Sequence, residues 1–220
     1  MDPRQLFTEQ CGPYELFIRS AGYTQGLRTF FVRSGMLRPG SRILDAGCGT
    51  GALSLAMREA ALRLQFTPPA IQGFDLTPAM LERFRNTLVA HGIDNAELVQ
   101  SNVLHLDALP ASWNNYDLIA TASMMEYLSR NEFNAALRGL RARLSDNGAL
   151  LLFITRRNWI TRPLIGRWWH ANLYTAKEIQ AAFQEAGFPR PAFHRFPFPY
   201  GYLNVWGYIV EAPAGFHTPP

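Results

Sequence analysis

The sequence is poor in cysteine and in lysine. Two of its 220 residues are cysteine, and no Cys/His group has metal-ligand spacing, so we expect no metal site and a reducing compartment. Lys177 is the only lysine among 21 basic residues, and the net charge is +4. No basic block is long enough to form a nucleic-acid track, so we expect no nucleic-acid partner.

Long apolar runs are also missing. No window approaches the roughly 18 apolar residues of a membrane-spanning helix. The first residues lack the basic start and apolar core of a signal peptide, which favours a cytoplasmic location. A length of 220 residues with 48% hydrophobic residues is enough for one domain with a large core.

Strand and helix patterns alternate from residue 41 onward. Alternation of this kind predicts an α/β, Rossmann-like, mainly parallel sheet of about seven strands with helices on both faces. The last two predicted strands, about 192–198 and 203–210, are joined by too few residues for a parallel crossover, so the last should be antiparallel. We divide the chain into an N-terminal helical lid (1–37), the main domain (38–212) and a tail (213–220).

Three helix starts carry capping signals. Thr77 precedes Pro78, which predicts a capping hydroxyl with proline at the first helical position. Capping boxes of the form S/T-x-x-E begin at Ser129 and Thr175. The helix after Ser129 is expected to end near residues 147–148, where Asn-Gly follows, and a strand is expected over 149–155.

The most informative segment is residues 43–51, with the sequence ILDAGCGTG. An apolar strand ends in Asp45, three alternating glycines follow, and an apolar helix starts at once. Glycines permit a sharp turn and close approach of a ligand, and a helix N-terminus presents unpaired N–H groups. A second acid, Asp75, closes the next strand, where an acid hydrogen-bonds ribose hydroxyls in dinucleotide folds.

Two nucleoside-containing cofactors are candidates for this turn. Gly47, Gly49 and Ala52 also satisfy a relaxed NAD fingerprint, G-x-G-x-x-A. However, the Asp45 carboxylate would lie near the phosphates of a dinucleotide and repel them. It suits S-adenosylmethionine, which has an ammonium group, a sulfonium and a ribose but no phosphate.

These segments resemble the class I S-adenosylmethionine-dependent methyltransferases. Residues 43–51 are similar to that family's first motif, and residues 73–81 (GFDLTPAML) to the acidic loop that follows. Weaker similarities follow in order at 116–119, 148–152 and 174–188. The resemblance covers roughly residues 38–212. It implies an S-adenosylmethionine-dependent methyltransferase acting on a small molecule.

The resemblance also implies a set of cofactor contacts. The glycine turn should pack against the methionine part of the cofactor, Asp75 should bind the ribose and Leu76 should contact the adenine. The family usually has an acid after the third strand for the adenine amino group; this sequence has Asn102, whose carbonyl can accept the same bond. Tyr14 and Tyr23 are candidates for the cofactor carboxylate. The expected cofactor-binding residues are Asp45, Ala46, Gly47, Cys48, Gly49, Gly51, Asp75, Leu76, Asn102, Val103, Ala122, Ser123, Met124, Tyr14 and Tyr23.

Methyl transfer requires alignment of the nucleophile and exclusion of water, and in some cases removal of a proton. No particular base is demanded. The candidates near expected strand ends are His105, Glu126 and His170.

Two aromatic regions point to the acceptor. Residues 156–174 mix arginines with tryptophans, which suits either a lid over the site or a peripheral contact with an anionic membrane. Residues 193–206 are rich in Phe and Tyr and could wall an apolar pocket or cover the sheet. We therefore expect an apolar, aromatic or lipid-like acceptor, with a protein acceptor, an NAD-dependent oxidoreductase and a non-catalytic cofactor-binding partner protein as alternatives.

Overall fold

The computed structural model describes residues 22–163 and 171–215. Seven strands and five α-helices lie in these residues. The strands are β1 Ile43–Ala46, β2 Ile71–Asp75, β3 Ala96–Gln100, β4 Tyr116–Ala122, β5 Leu144–Thr155, β6 Ala192–His194 and β7 Gly207–Pro213. The helices are α1 Tyr23–Ser34, α2 Ala52–Arg63, α3 Pro78–Ala90, α4 Arg130–Arg141 and α5 Ala176–Glu185.

The strands form one sheet in the order β3-β2-β1-β4-β5-β7-β6. Strands β1 to β5 pair in parallel, whereas β7 is antiparallel to both β5 and β6. The predicted α/β class, the seven strands and the antiparallel last strand are confirmed. The order reverses between β1 and β4, which places a ligand crevice beyond the carboxyl ends of these strands.

Helices cover both faces of the sheet. On one face, α1 and α2 bury apolar side chains such as Leu27, Phe31 and Ala56 against Leu118 and Phe153 of β4 and β5. The other face is covered by α4 and α5. The N-terminal helix α1 therefore shares its core with the central strands, while the first part of the predicted lid lies outside the described residues.

The connection between β6 and β7 differs from the prediction. Residues 200–205 form a 3₁₀ helix instead of extending the strands, and β7 begins only at Gly207. Phe196 and Leu203 turn inward and pack beside Gly26 of α1. Burial of these two side chains against α1 accounts for the shorter strands.

The capping boxes at Ser129 and Thr175 are confirmed. Thr77 is the N-cap of α3 but its side chain makes no capping bond; instead Asp75 Oδ1 accepts a hydrogen bond from Thr77 N at 2.8 Å. The predicted helix end at 147–148 was wrong, because α4 ends at Arg141 and Gly148 lies within β5. A Cβ at Gly148 would collide with the carbonyl of Tyr116, so this glycine permits close strand approach.

Within the described residues, no helix is both long and apolar enough to span a bilayer.

Candidate active site

A cavity of about 700 Å³ lies at the carboxyl ends of β1, β2 and β4. The glycine turn, the loop after β2, the loop after β4 and the start of α1 contribute to its wall. Apolar and polar side chains alternate around it, including Leu27, Leu53, Met124 and Leu128 beside Asp45, Asp75 and Asn102. This position is the one that the strand order predicts for a ligand.

The three glycines of the turn have different surroundings, although φ is positive at each (74°, 53° and 88°). A Cβ at Gly47 would lie 2.6 Å from Met124 Cγ, and one at Gly51 would overlap the Phe84 ring. Gly49 alone has no atom within 4 Å of the Cβ position. Gly47 and Gly51 therefore allow the turn to pack against Met124 and Phe84. Among the three glycines, only Gly49 leaves open space that a ligand can occupy.

Asp75 fixes the turn and the following helix to each other. Its Oδ2 accepts a hydrogen bond from Gly49 N at 2.9 Å, and its Oδ1 accepts one from Thr77 N at 2.8 Å. Burial raises the pKa of Asp75, and these backbone bonds oppose that rise. Each carboxylate oxygen keeps further acceptor capacity, so the side chain can bind hydroxyl groups from the cavity.

Asp45 is more deeply buried, with 2% of its surface exposed, and it also lines the cavity. Its Oδ2 accepts hydrogen bonds from Ser54 N at 3.1 Å and from Ser54 Oγ at 2.6 Å. Its Oδ1 has no partner. Burial raises the pKa of Asp45 to about 7. An unpaired buried carboxyl oxygen is costly.

The loops after β3 and β4 complete the wall. Asn102 and Val103 line it, but Asn102 Oδ1 already accepts a hydrogen bond from Leu104 N at 3.0 Å. Ser123 also lines the cavity and has a φ of 54°, a left-handed conformation that is uncommon outside glycine. Strained backbone of this kind is concentrated at functional sites.

Most of the expected cofactor-binding residues therefore meet at one cavity. Ala46 and Gly51 do not line it, because Ala46 faces the core beneath the sheet and Gly51 packs on Phe84. Tyr23 lines it from the first turn of α1, whereas Tyr14 lies outside the described residues. Cys48 lines it too, and burial raises the pKa of its thiol well above the ordinary value.

The catalytic candidates are arranged differently. His105 is exposed and does not line the cavity, and His170 lies outside the described residues. Glu126 is buried beside the cavity wall, between the lining residues Met124 and Tyr127. Thr155 Oγ1 donates to Glu126 Oε1 at 2.9 Å, Oε2 has no partner, and burial raises the pKa of Glu126 to about 7.

Several lining residues were not anticipated from the sequence. Thr24 and Leu27 of α1 contribute, as do Ser101 before Asn102 and Tyr127 beyond β4. Ser101 and Tyr127 follow the ends of strands, so their positions alone could have identified them as lining residues. Tyr23 of α1 was expected at the cavity, but nothing local in α1 indicated that Thr24 and Leu27 also reach it.

The segment 156–174 is described at 156–163 and 171–174. Arg156 Nη1 donates to Asn204 O at 3.0 Å and its guanidinium lies 5.0 Å from the centre of the Tyr208 ring. Arg157 pairs with Glu178 at 2.9 Å. Two of the arginines that suggested a membrane contact are therefore used in internal contacts.

The comparisons with known proteins agree with this geometry. Residues 43–148 match a family model described as a methyltransferase domain. Carboxy-S-adenosyl-L-methionine synthase of Chromohalobacter salexigens is 32% identical over 117 residues, 53% of this chain and 40% of that protein. Ubiquinone/menaquinone biosynthesis C-methyltransferase UbiE of Stenotrophomonas maltophilia is 29% identical over 121 residues, 54% of this chain and 45% of that protein. The chain thus matches less than half the length of these curated relatives.

Magnesium protoporphyrin IX methyltransferase (ChlM) from Synechocystis PCC 6803, with bound SAH, shares the fold over nearly its whole length. Its TM-score is 0.68 at 16% identity, with 96% of this chain and 97% of that chain covered. The chain therefore has the fold of the class I S-adenosylmethionine-dependent methyltransferases, and its residues 43–148 match the model of a methyltransferase domain. The resemblance read from the sequence is confirmed.

Proposed function

We propose that the protein is an S-adenosylmethionine-dependent methyltransferase acting on a small apolar, aromatic or lipid-like acceptor. The observation that carries the proposal is the cavity wall that holds Asp45 and Asp75 on either side of the glycine turn. In this proposal Asp45, which has an unpaired oxygen, binds the ammonium group, and Asp75, which keeps acceptor capacity beyond its backbone bonds, binds the ribose hydroxyls.

The wall fits this cofactor better than a phosphate-bearing one. Gly49 N already donates to Asp75, and Asp45 lines the same wall, so this wall offers an anion little. When bound, S-adenosylmethionine supplies a methyl group activated by its sulfonium. The remaining expected contacts, including Leu76 at the adenine and Tyr14 or Tyr23 at the carboxylate, belong to this proposal.

The chain's own part is to align the acceptor, exclude water and, where needed, hold a proton. Apolar lining residues such as Leu27, Met124 and Leu128 support an apolar acceptor. Among the catalytic candidates, Glu126 is flanked by the lining residues Met124 and Tyr127, but its own side chain lies behind the wall, so its catalytic role stays a prediction. His105 and His170, the lid role of 1–37 and 156–174, and the cytoplasmic location stay predictions.

Calorimetric titration of the purified chain with S-adenosylhomocysteine and with NAD tests the cofactor. Binding of S-adenosylhomocysteine alone is expected, and binding of NAD alone would overturn the proposal in favour of an oxidoreductase. A metabolite screen with methyl-labelled S-adenosylmethionine then tests catalysis. Binding without methyl transfer to any small-molecule or protein acceptor would favour a non-catalytic partner protein.

A further inference from the structure

Two loops at the carboxyl edge of the sheet meet beside the cavity. The described residues 156–163 follow β5, and residues 195–206 follow β6, which runs in the same direction. Asn158 Nδ2 donates to Val205 O at 2.6 Å, and this bond joins the two loops. Tyr202 Oη lies 2.8 Å from the Cβ position of Gly22, next to the cavity residue Tyr23. The joined loops therefore lie at the edge where the cavity is formed.

We propose that the surface formed by Trp159, Arg162, Tyr202 and Val205, called the rim surface below, docks on an anionic lipid bilayer and gives the site access to an amphiphilic acceptor in that bilayer. Access to an amphiphilic acceptor rests on the proposed function, whereas docking on the bilayer does not.

The rim surface exposes large apolar side chains. Trp159 is 84% exposed, Tyr202 51% and Val205 40%. Single exposed apolar residues need no explanation, but these three belong to two joined loops. Trp and Tyr rings are amphipathic and are enriched at membrane–water interfaces. The residue types exposed here are those that a lipid interface accommodates.

The charge of the two loops favours anionic lipids. Residues 156–174 and 195–206 contain no Asp or Glu. Arg162 and Arg195 are exposed. Glu178, which pairs with Arg157 of the first loop, also pairs with Arg130. Exposed aromatic side chains on loops that carry exposed arginines and no acids are typical of a surface that binds an anionic interface.

The opposite edge of the sheet supplies matched controls. Val89 is 79% exposed near the C-terminal end of α3, and Arg190 is exposed just before β6 begins. Both ends lie at the amino edge of the sheet. Substitutions there change an exposed apolar residue or a charge without altering the rim surface.

Flotation with phosphatidylcholine vesicles, with and without phosphatidylglycerol, tests the docking. The full chain is expected to float only with the anionic vesicles and less at high salt. Trp159→Ala should weaken partitioning about fivefold or more, and Arg162→Glu about tenfold or more. Val89→Ala and Arg190→Glu should partition as the unchanged protein does. Absence of flotation, or equal loss in rim and control variants, would overturn the proposal.

Two further measurements separate the alternatives. If Trp159→Ala abolishes self-association in sedimentation while the unchanged protein ignores vesicles, the surface is an interface between copies and the proposal is wrong. S-adenosylhomocysteine affinity is measured on the same samples. Vesicle binding without S-adenosylhomocysteine binding would overturn the proposed function and the access to an acceptor while supporting docking; the reverse result would overturn docking alone.

Discussion

The two halves of the sheet's carboxyl edge hold their loops by different means. Beyond β1 and β2, a short turn is fixed by glycines and by the Asp75 carboxylate, which accepts two backbone N–H groups. Beyond β5 and β6, the described loop residues are held by Arg156 and Asn158, which donate to the carbonyls of Asn204 and Val205. The first half is built from bonds close to the motif, and the second from bonds between loops distant in sequence.

The two halves also differ in the position of a buried carboxyl group. Asp45 and Glu126 each have one unpaired oxygen and a pKa raised by burial to about 7. Asp45 lines the cavity, whereas Glu126 lies behind its wall and bonds to Thr155. We therefore expect protonation of Asp45 to affect ligand binding and protonation of Glu126 to affect stability.

The largest effect is expected in the glycine turn. Gly51→Ala places a Cβ into the Phe84 ring at a positive φ, and should cost about 3 kcal/mol or more of unfolding free energy. Gly49→Ala meets no atom and should cost only about 1 kcal/mol, from the left-handed backbone. Urea unfolding of both variants measures the difference. Equal losses would show that the two glycines do not differ in packing.

The next effect concerns Glu126 and pH. Because its folded pKa lies above the unfolded value, the native state binds more protons, and stability falls as pH rises from about 4.5 to 7. Glu126→Gln removes that loss. The unfolding free energy of the variant minus that of the unchanged protein should therefore be on the order of 3 kcal/mol larger at pH 8 than at pH 4. Denaturant unfolding across this range measures it.

Glu178→Gln is the control of opposite sign. Burial would raise the pKa of Glu178, but bonds from Thr175 and the charges of Arg130 and Arg157 hold it at about 2. Its stabilisation is present above the unfolded pKa and is lost as pH falls toward 2. Glu178→Gln should therefore destabilise at pH 7 and not at pH 2. If the stability of Glu126→Gln depended on pH in the same way, the raised pKa assigned to Glu126 would be wrong.

A smaller effect is expected at Asp75. Asp75→Ala should weaken S-adenosylhomocysteine binding about 30-fold, because hydrogen bonds to a charged group contribute more than neutral ones. Asp117→Ala is the control, since Asp117 Oδ2 accepts a hydrogen bond from Arg42 N at 2.8 Å at the opposite edge of the sheet. Calorimetry on both variants measures the affinities. Equal weakening would mean that Asp75 acts only through the fold.

The smallest effect is the pH dependence of binding at Asp45. Ionised Asp45 should attract the ligand ammonium, so affinity is full well above pH 7 and falls as the carboxyl becomes protonated. The expected weakening is about fivefold between pH 7 and pH 6. Asp45→Asn should bind weakly with little pH dependence over this interval. A titration series at several pH values measures both, and a flat profile for the unchanged protein would exclude this role.

Much of the site could be predicted because its signals are local. The spacing of Asp45, the three glycines and Asp75 is set by strand, turn and helix geometry within one β–α–β unit. Capping boxes at Ser129 and Thr175 were predicted for the same reason. The β6–β7 connection was not, since Leu203 is placed by contact with Gly26 of α1, far away in the chain.

By itself, the sequence determined the α/β class, the strand that leads into the glycine turn and the two acids that flank it. Short-range hydrogen bonds and periodic burial are sufficient for these features. Only the tertiary structure decided that Gly47 and Gly51 face side chains while Gly49 faces open space, that Asp45 lines the cavity and Glu126 does not, and that the loops after β5 and β6 join. These outcomes depend on which distant side chains fill the space beside each residue, and the local sequence pattern does not determine those contacts.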